Sequence, residues 1–194
     1  MKKIKTFARL IIACIAIFFS VACKKEKKAD DPNISYREIN QTIVANTNFS
    51  IYDSIDLNQD GHQDYYIQHI KNVAGDSVYC LIMSDNAGVY VDTTNAYSSY
   101  YVIKSLDTDV SPVKYNYVAH IWWPTAIIGY KMNTTVNGIG GQGNKYLPVA
   151  MVKNDSTLNY GWLQINLSSD NKTLKIIDGA YSTLDNTPIK MGAE

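Results

Sequence analysis

From Tyr36 onward the chain never sustains a helical apolar period. Short runs rich in Tyr, Ile, Val and Thr are separated instead by clusters of Asn, Asp, Ser and Gly. β-Branched and aromatic side chains lose rotamer freedom in a helix but pack well on a pleated surface, so this pattern restricts the chain to an all-β fold. The number and shortness of the runs predict a single antiparallel β-sandwich of jelly-roll type. Strands are predicted over residues 36–44, 49–56, 64–70, 77–83, 89–91, 100–106, 115–122, 146–153, 160–167 and 173–178, and the pattern is weakest around Tyr97 and Thr125. Leu163, Ile165 and Leu167 alternate with Gln164 and Asn166, as a strand with one buried face should. The polar run Ser168 to Lys172 then turns the chain back into Leu174 and Ile176, which predicts a hairpin.

Ahead of this region stands a targeting signature. Lys2, Lys3, Lys5 and Arg9 precede an apolar run over residues 10–19, which ends in Ser20-Val21-Ala22-Cys23. A helix needs about 20 apolar residues to cross a bilayer, so this shorter run reads as a signal peptide. Small residues leading directly to a cysteine resemble the lipobox of bacterial lipoproteins, in the looser form found in the Bacteroidota, with Ser20 where leucine is usual. The resemblance implies cleavage before Cys23, acylation there, and a lipid anchor in the outer membrane of a Gram-negative cell, on either its periplasmic or its outer face. The organisation expected is a signal peptide over 1–22, a lipidated Cys23 with a flexible tether over 23–33, and one sandwich domain over 34–194. Loss of the signal removes four basic residues from 18, leaving 14 against 18 acidic ones. With much of the remaining positive charge in the tether at Lys24, Lys25, Lys27 and Lys28, the domain carries no basic stripe, and no nucleic-acid partner is expected.

Between two predicted strands lies Asp56-Leu57-Asn58-Gln59-Asp60-Gly61-His62-Gln63-Asp64. Oxygen side chains fall at the first, third, fifth and ninth places, and glycine at the sixth. A hard cation takes six to eight oxygens from a sharply turned backbone, so the spacing points to calcium held by Asp56, Asn58, Asp60 and Asp64, with His62 contributing its carbonyl. The competing reading is a polar turn whose side chains cap its own backbone. The twelfth place is Ile67 and the flanks are strand-like, so this is no EF-hand; it resembles the strand-flanked calcium loops of integrin-type propeller blades.

A second resemblance lies at the carboxyl end. Tyr160-Gly161-Trp162, a strand, a turn and Asp178-Gly179-Ala180-Tyr181 are similar to the closing region of a group of secreted, envelope-anchored bacterial β-sandwich proteins, which also often carry an Asp-x-Asn-x-Asp-Gly-x-x-Asp loop. This resemblance implies a fold and a compartment, and no activity.

Other features point less far. Gly138-Ile139-Gly140-Gly141-Gln142-Gly143 has dinucleotide-binding glycine spacing, but Asn144 to Pro148 opens no helix, so a mobile loop bordering a groove is expected instead. His62, His69 and His120 lack zinc-site spacing. Cys80 sits in an apolar run and reads as a small core residue. Asp107 and Asp109 fit an exposed turn before Ser111-Pro112. Trp122 and Trp123 are candidate ligand-contact aromatics, one facing the core and the other outward. The expected function is a noncatalytic binding or adhesion module for glycan or an envelope protein. The alternatives are a structural subunit of an outer-membrane complex and a carbohydrate-active hydrolase.

Overall fold

A computed structural model describes residues 31–194 apart from 48–52, 75–76, 85–86, 98–99, 107–119 and 154–156. The signal, Cys23, and the Asp107 and Asp109 pair lie outside these residues.

The described residues form twelve strands and no helix: β1 Ile34–Val44, β2 Asp53–Ile55, β3 Tyr65–Lys71, β4 Ser77–Met83, β5 Ala87–Tyr97, β6 Tyr100–Ile103, β7 His120–Trp123, β8 Thr125–Met132, β9 Thr135–Gly138, β10 Asn144–Val152, β11 Leu158–Leu167 and β12 Thr173–Ser182. Hydrogen bonds link them in the order β1-β12-β11-β10-β5-β6-β8-β4-β3-β2, with β7 added to β5 and β9 to β8. Every pair is antiparallel except β6 with β8. The two ends of this path almost meet. Just past β1, Asn46 bridges Ile70 of β3, its N–H donating to the His69 carbonyl at 3.1 Å. The domain is therefore all-β and sandwich-like, one continuous sheet folded over one core.

Period-two alternation builds that core. Along β4, Val78, Cys80 and Ile82 are buried while Ser77, Tyr79, Leu81 and Met83 are not; along β11, Leu163, Ile165 and Leu167 point inward. Side chains on successive residues leave opposite faces of a strand, so each inward set meets its counterparts from across the fold. The expected hairpin is β11–β12, whose turn brings Leu167 opposite Leu174.

Several segments depart from the sequence reading. β5 runs to Tyr97 and β8 opens at Thr125, both in the weakly patterned stretches, because pairing on neighbouring strands supplies what local pattern lacks. β9 was not expected, since Thr135-Val136-Asn137-Gly138 offers little to bury. It exists as the return arm of a hairpin on β8, where Met132 pairs with Thr135 and Asn133 takes the left-handed conformation (φ 51°) that so tight a turn requires.

The resemblance motif at the carboxyl end proves to be one cross-strand lattice. Gly161 pairs with Tyr181, Trp162 with Ala180, and Gln164 with Asp178. A Cβ on Gly161 would stand 2.5 Å from the Ala180 carbonyl oxygen, which excludes a side chain there. Trp162 lies outside the main core in a cluster with Ala180, Ile189 and Met191, and Tyr146 packs edge-on against it at 5.2 Å. Beyond β12 the tail returns to the start of the domain, with Thr183 N–H donating to the Asn33 carbonyl and Asp31 N–H to that of Glu194.

Candidate functional site

Residues 56–64 leave β2 and double back before β3. The loop is coiled by its own carboxylates. Both oxygens of Asp56 accept backbone N–H groups, from Asp60 at 3.2 Å and Gly61 at 3.0 Å. Asp60 accepts from His62 N–H at 2.8 Å and from the Asn58 amide at 3.0 Å. From the far end, Asp64 accepts from Leu57 N–H at 2.6 Å and Asn58 N–H at 3.3 Å. Gly61 takes φ +89°, a conformation costly for any residue with a Cβ, although a Cβ there would meet nothing within 4 Å. His62 is exposed.

Two groups that the motif does not specify hold this loop to the domain. Leu57 is buried in the main core, its tip reaching the space that Gly179 leaves open. Arg37 of β1 donates to the Asp56 carbonyl. Leu57 was visible in the sequence as the apolar second residue of an otherwise polar loop; nothing local marked Arg37 or Gly179, which come from strands far away in sequence.

The loop's electrostatics favour a cation. Burial pushes Asp64 up to about 6, and Asp56 and Asp60 add repulsion in the same direction, against the two N–H groups that stabilise its charge. Hard oxygen donors, mutual repulsion and the Gly61 turn fit calcium. The side chains are nonetheless spent on backbone N–H groups, and among the described residues no three or more His, Cys, Asp or Glu side chains gather as a metal-binding group. The polar-turn geometry is thus fully formed without an ion.

The glycine-rich segment 138–143 is not the mobile loop expected from its composition. Ile139 is buried in the core, and Gly141 N–H donates to the Leu167 carbonyl at 2.9 Å. Gly138 and Gly140 answer to close packing, whereas Gly143 stands in open space at φ +76°. A Cβ on Gly138 would lie 2.3 Å from the Ile128 carbonyl oxygen, and one on Gly140 would lie 1.9 Å from the side-chain oxygen of the fully buried Asn171. His69, also fully buried, bonds the Asn171 carbonyl through Nε2 at 2.5 Å, and burial holds its pKa below the ordinary value. His69 is thus a core residue, as is the fully buried Cys80, whose thiol burial pushes up.

Trp122 and Trp123 alternate on β7. Trp122 pairs with Tyr90 on the outer face and is half-buried between the rings of Tyr90 and Tyr160, at 5.3 and 5.5 Å. Trp123 pairs with the core residue Val89, yet lies at the rim and is 41% exposed, edge-on to Tyr101 at 5.5 Å. Both border a shallow hollow of about 120 Å³ whose walls include Gly88, Pro124, Val152 and Leu158. The indole on the core side of the strand is therefore the more exposed of the two.

The chain matches no known family, curated protein or solved structure.

Proposed function

We propose that the chain is an outer-membrane lipoprotein, anchored through Cys23, whose β-sandwich binds glycan without catalysing a reaction and uses residues 56–64 as a structural calcium site. The observation that carries the binding reading is the exposed indole of Trp123 beside a shallow hollow. An indole face is electron-rich, and the C–H edges of a sugar ring are weakly positive, so an exposed ring on a rigid strand suits stacking on a pyranose. A hollow of this depth fits a single residue of a glycan better than an enclosed substrate.

In the calcium site, Asp56, Asn58, Asp60 and Asp64 would donate side-chain oxygens and His62 its carbonyl. The ion would relieve the repulsion that raises Asp64. Extracellular calcium sites of this class often bind only at about 10⁻⁴ to 10⁻³ M, so millimolar calcium belongs in any assay.

The test is a panel of oligosaccharides added to the purified protein in millimolar calcium, read by tryptophan fluorescence. A ligand that shifts the emission and binds about tenfold more weakly to Trp123→Ala supports the reading. Equal binding by the variant, or no binding across the panel, removes Trp123 as a glycan platform.

A further inference from the structure

Strand direction sorts the charges of this domain between its two ends. β12 starts at Thr173 beside the end of β1 and finishes at Ser182 beside its start, so its 10 residues hold the ends roughly 30 Å apart at about 3.3 Å per residue. To the Ser182 end belong the acids Asp31, Asp56, Asp60, Asp64, Asp185 and Glu194, with Arg37, Lys153 and Lys190 as the bases, and Lys153 is ion-paired with Asp185. The opposite end is basic. Lys71 closes β3, Lys131 lies just before the end of β8, Lys145 just after the start of β10, Lys172 in the β11–β12 turn and Lys175 near the start of β12. Among the described residues Asp170 is the acid of this end, and the sequence adds Asp76 in the connection between β3 and β4.

These lysines are scattered along the sequence, and strand pairing draws them into one arc. Lys71 and Lys131 both pair with Val78, one on each side, so their backbones lie two strand spacings apart, roughly 10 Å. Lys71 N–H donates to the Asn46 carbonyl at 2.6 Å and Ala45 N–H to the Lys172 carbonyl at 2.8 Å, so Ala45 and Asn46 join those two lysines. Farther along, Lys175 pairs with Thr42 on one side and Asn166 on the other, and Asn166 pairs with Asn144, the neighbour of Lys145. The Asn166 amide donates to the Asn144 side-chain oxygen at 2.7 Å. Lys172 and Lys175 are exposed, and Lys71, Lys131 and Lys145 are half-buried, so all five reach solvent. Lys172 also stands 4.0 Å from Asp170.

We infer that this basic end binds an acidic polysaccharide, its carboxylates on the lysines and its hydroxyl groups on Thr42, Asn144 and Asn166. Spaced point charges interleaved with amides and a hydroxyl suit a chain that carries an anion and several hydroxyls on each ring. A nucleic acid is recognised instead by arginine forks on phosphate and aromatic platforms under the bases. Arg37, the one arginine beyond Arg9, lies toward the other end and donates to the Asp56 carbonyl, and the residues that link the lysines include no aromatic ring. The described chain begins at Asp31, in the acidic end, so the basic end is remote from the residues that lead to Cys23, which argues against the anchoring membrane as its partner. This surface uses neither Trp123 nor residues 56–64 and stands or falls separately from the function proposed above.

The experiment is calorimetric titration of the purified protein with oligogalacturonate, beside uncharged dextran, oligothymidylate and phosphatidylglycerol vesicles. A chelator is present throughout, so that calcium cannot bridge carboxylates to residues 56–64. Oligogalacturonate is expected to bind and dextran not, with affinity falling severalfold as salt rises from about 0.05 to 0.2 M. Loss of one exposed ion pair weakens binding about two- to threefold, so the triple variant Lys71→Gln, Lys172→Gln, Lys175→Gln is expected to bind about tenfold more weakly. Lys190→Gln, at the acidic end, is expected to bind normally. Lys175→Glu changes one exposed side chain and is expected to weaken binding in a protein that melts as the parent does, whatever the triple variant does to folding. Failure of oligogalacturonate to bind, affinity indifferent to salt, an equal loss in Lys190→Gln, or a Lys175→Glu protein that binds normally would overturn the assignment. Tighter binding of oligothymidylate or of the vesicles, weakened by the same substitutions, would overturn the ligand class.

Discussion

Residues 56–64 and residues 138–143 are both glycine-bearing connections between strands, and both carry a spacing associated with ligand binding. They are built on opposite principles. In the first, Gly61 stands in open space and serves only to let the backbone turn at φ +89°; acidic side chains do the organising, by accepting N–H groups from their own loop. In the second, Gly138 and Gly140 are required because neighbouring atoms occupy the place of a side chain, above all the Asn171 oxygen beside Gly140. Glycine spacing alone therefore says little about ligand binding. What separates Gly61 from Gly138 and Gly140 is whether the space around the glycine is filled by protein or left open.

This contrast can be broken by substitution. Gly140→Ala should be the most damaging change, since Asn171 is fully buried and held through its backbone by His69. A loss of about 3 kcal/mol is expected, a fall of roughly 6 to 12 °C in melting temperature. A neutral Gly140→Ala would show that the segment is loose after all. Gly61→Ala meets no atoms and should cost only the left-handed backbone, about 1 to 2 kcal/mol. If the two substitutions cost the same in chemical denaturation, the distinction between turning and packing glycines fails.

Calcium sharpens the comparison from the other side. At about five times the dissociation constant, calcium should stabilise the protein by about 1 kcal/mol, a rise of roughly 2 to 4 °C, and Asp60→Ala should abolish that rise while Gly140→Ala keeps it. Thermal unfolding with and without calcium measures this. Absence of any rise in the unmutated protein would leave residues 56–64 as a polar turn.

A further effect is expected on pH dependence in the presence of a chelator. The folded state raises Asp64 from 3.8 to about 6 and so holds its proton more tightly than the unfolded chain. The contribution to stability is complete below pH 3.8 and is lost as the pH rises through about 6. Asp64→Asn should remove this decline, so the difference in stability between the variant and the parent should grow in the variant's favour between about pH 4 and 6. His69 carries the opposite sign. With its pKa lowered in the fold, its contribution is lost as pH falls below the unfolded value of 6.5, and comparison with Asp64→Asn cancels it.

Much of the architecture was legible in the chain. Ser77 to Met83 reads as a strand because apolar residues alternate there, and the structure places a strand over the same residues. Residues 160–167 and the turn after them are equally clear. Local pattern failed where partners supply the order. β9 has little to bury and exists because β8 lies beside it, and β5 is carried to Tyr97 by pairing with Tyr100. In the acidic loop, the acidic side chains that organise it and Gly61 could be read from spacing, because side-chain spacing along one loop is a local property. Arg37 and Gly179 could not.

Sequence by itself determined the all-β class, the faces of the cleanest strands and the chemical character of each loop, since period-two alternation and side-chain composition act over a few residues. Only the tertiary structure decided which aromatic rings face solvent and which glycines are forced. Trp162 is covered because Tyr146 and the returning tail with Ile189 and Met191 lie over it, whereas Trp123 stays open on a strand paired with β5. Alternation assigns a residue to a face of its strand, but exposure depends on what distant segment covers that face, and that is settled only when strands far apart in sequence come together.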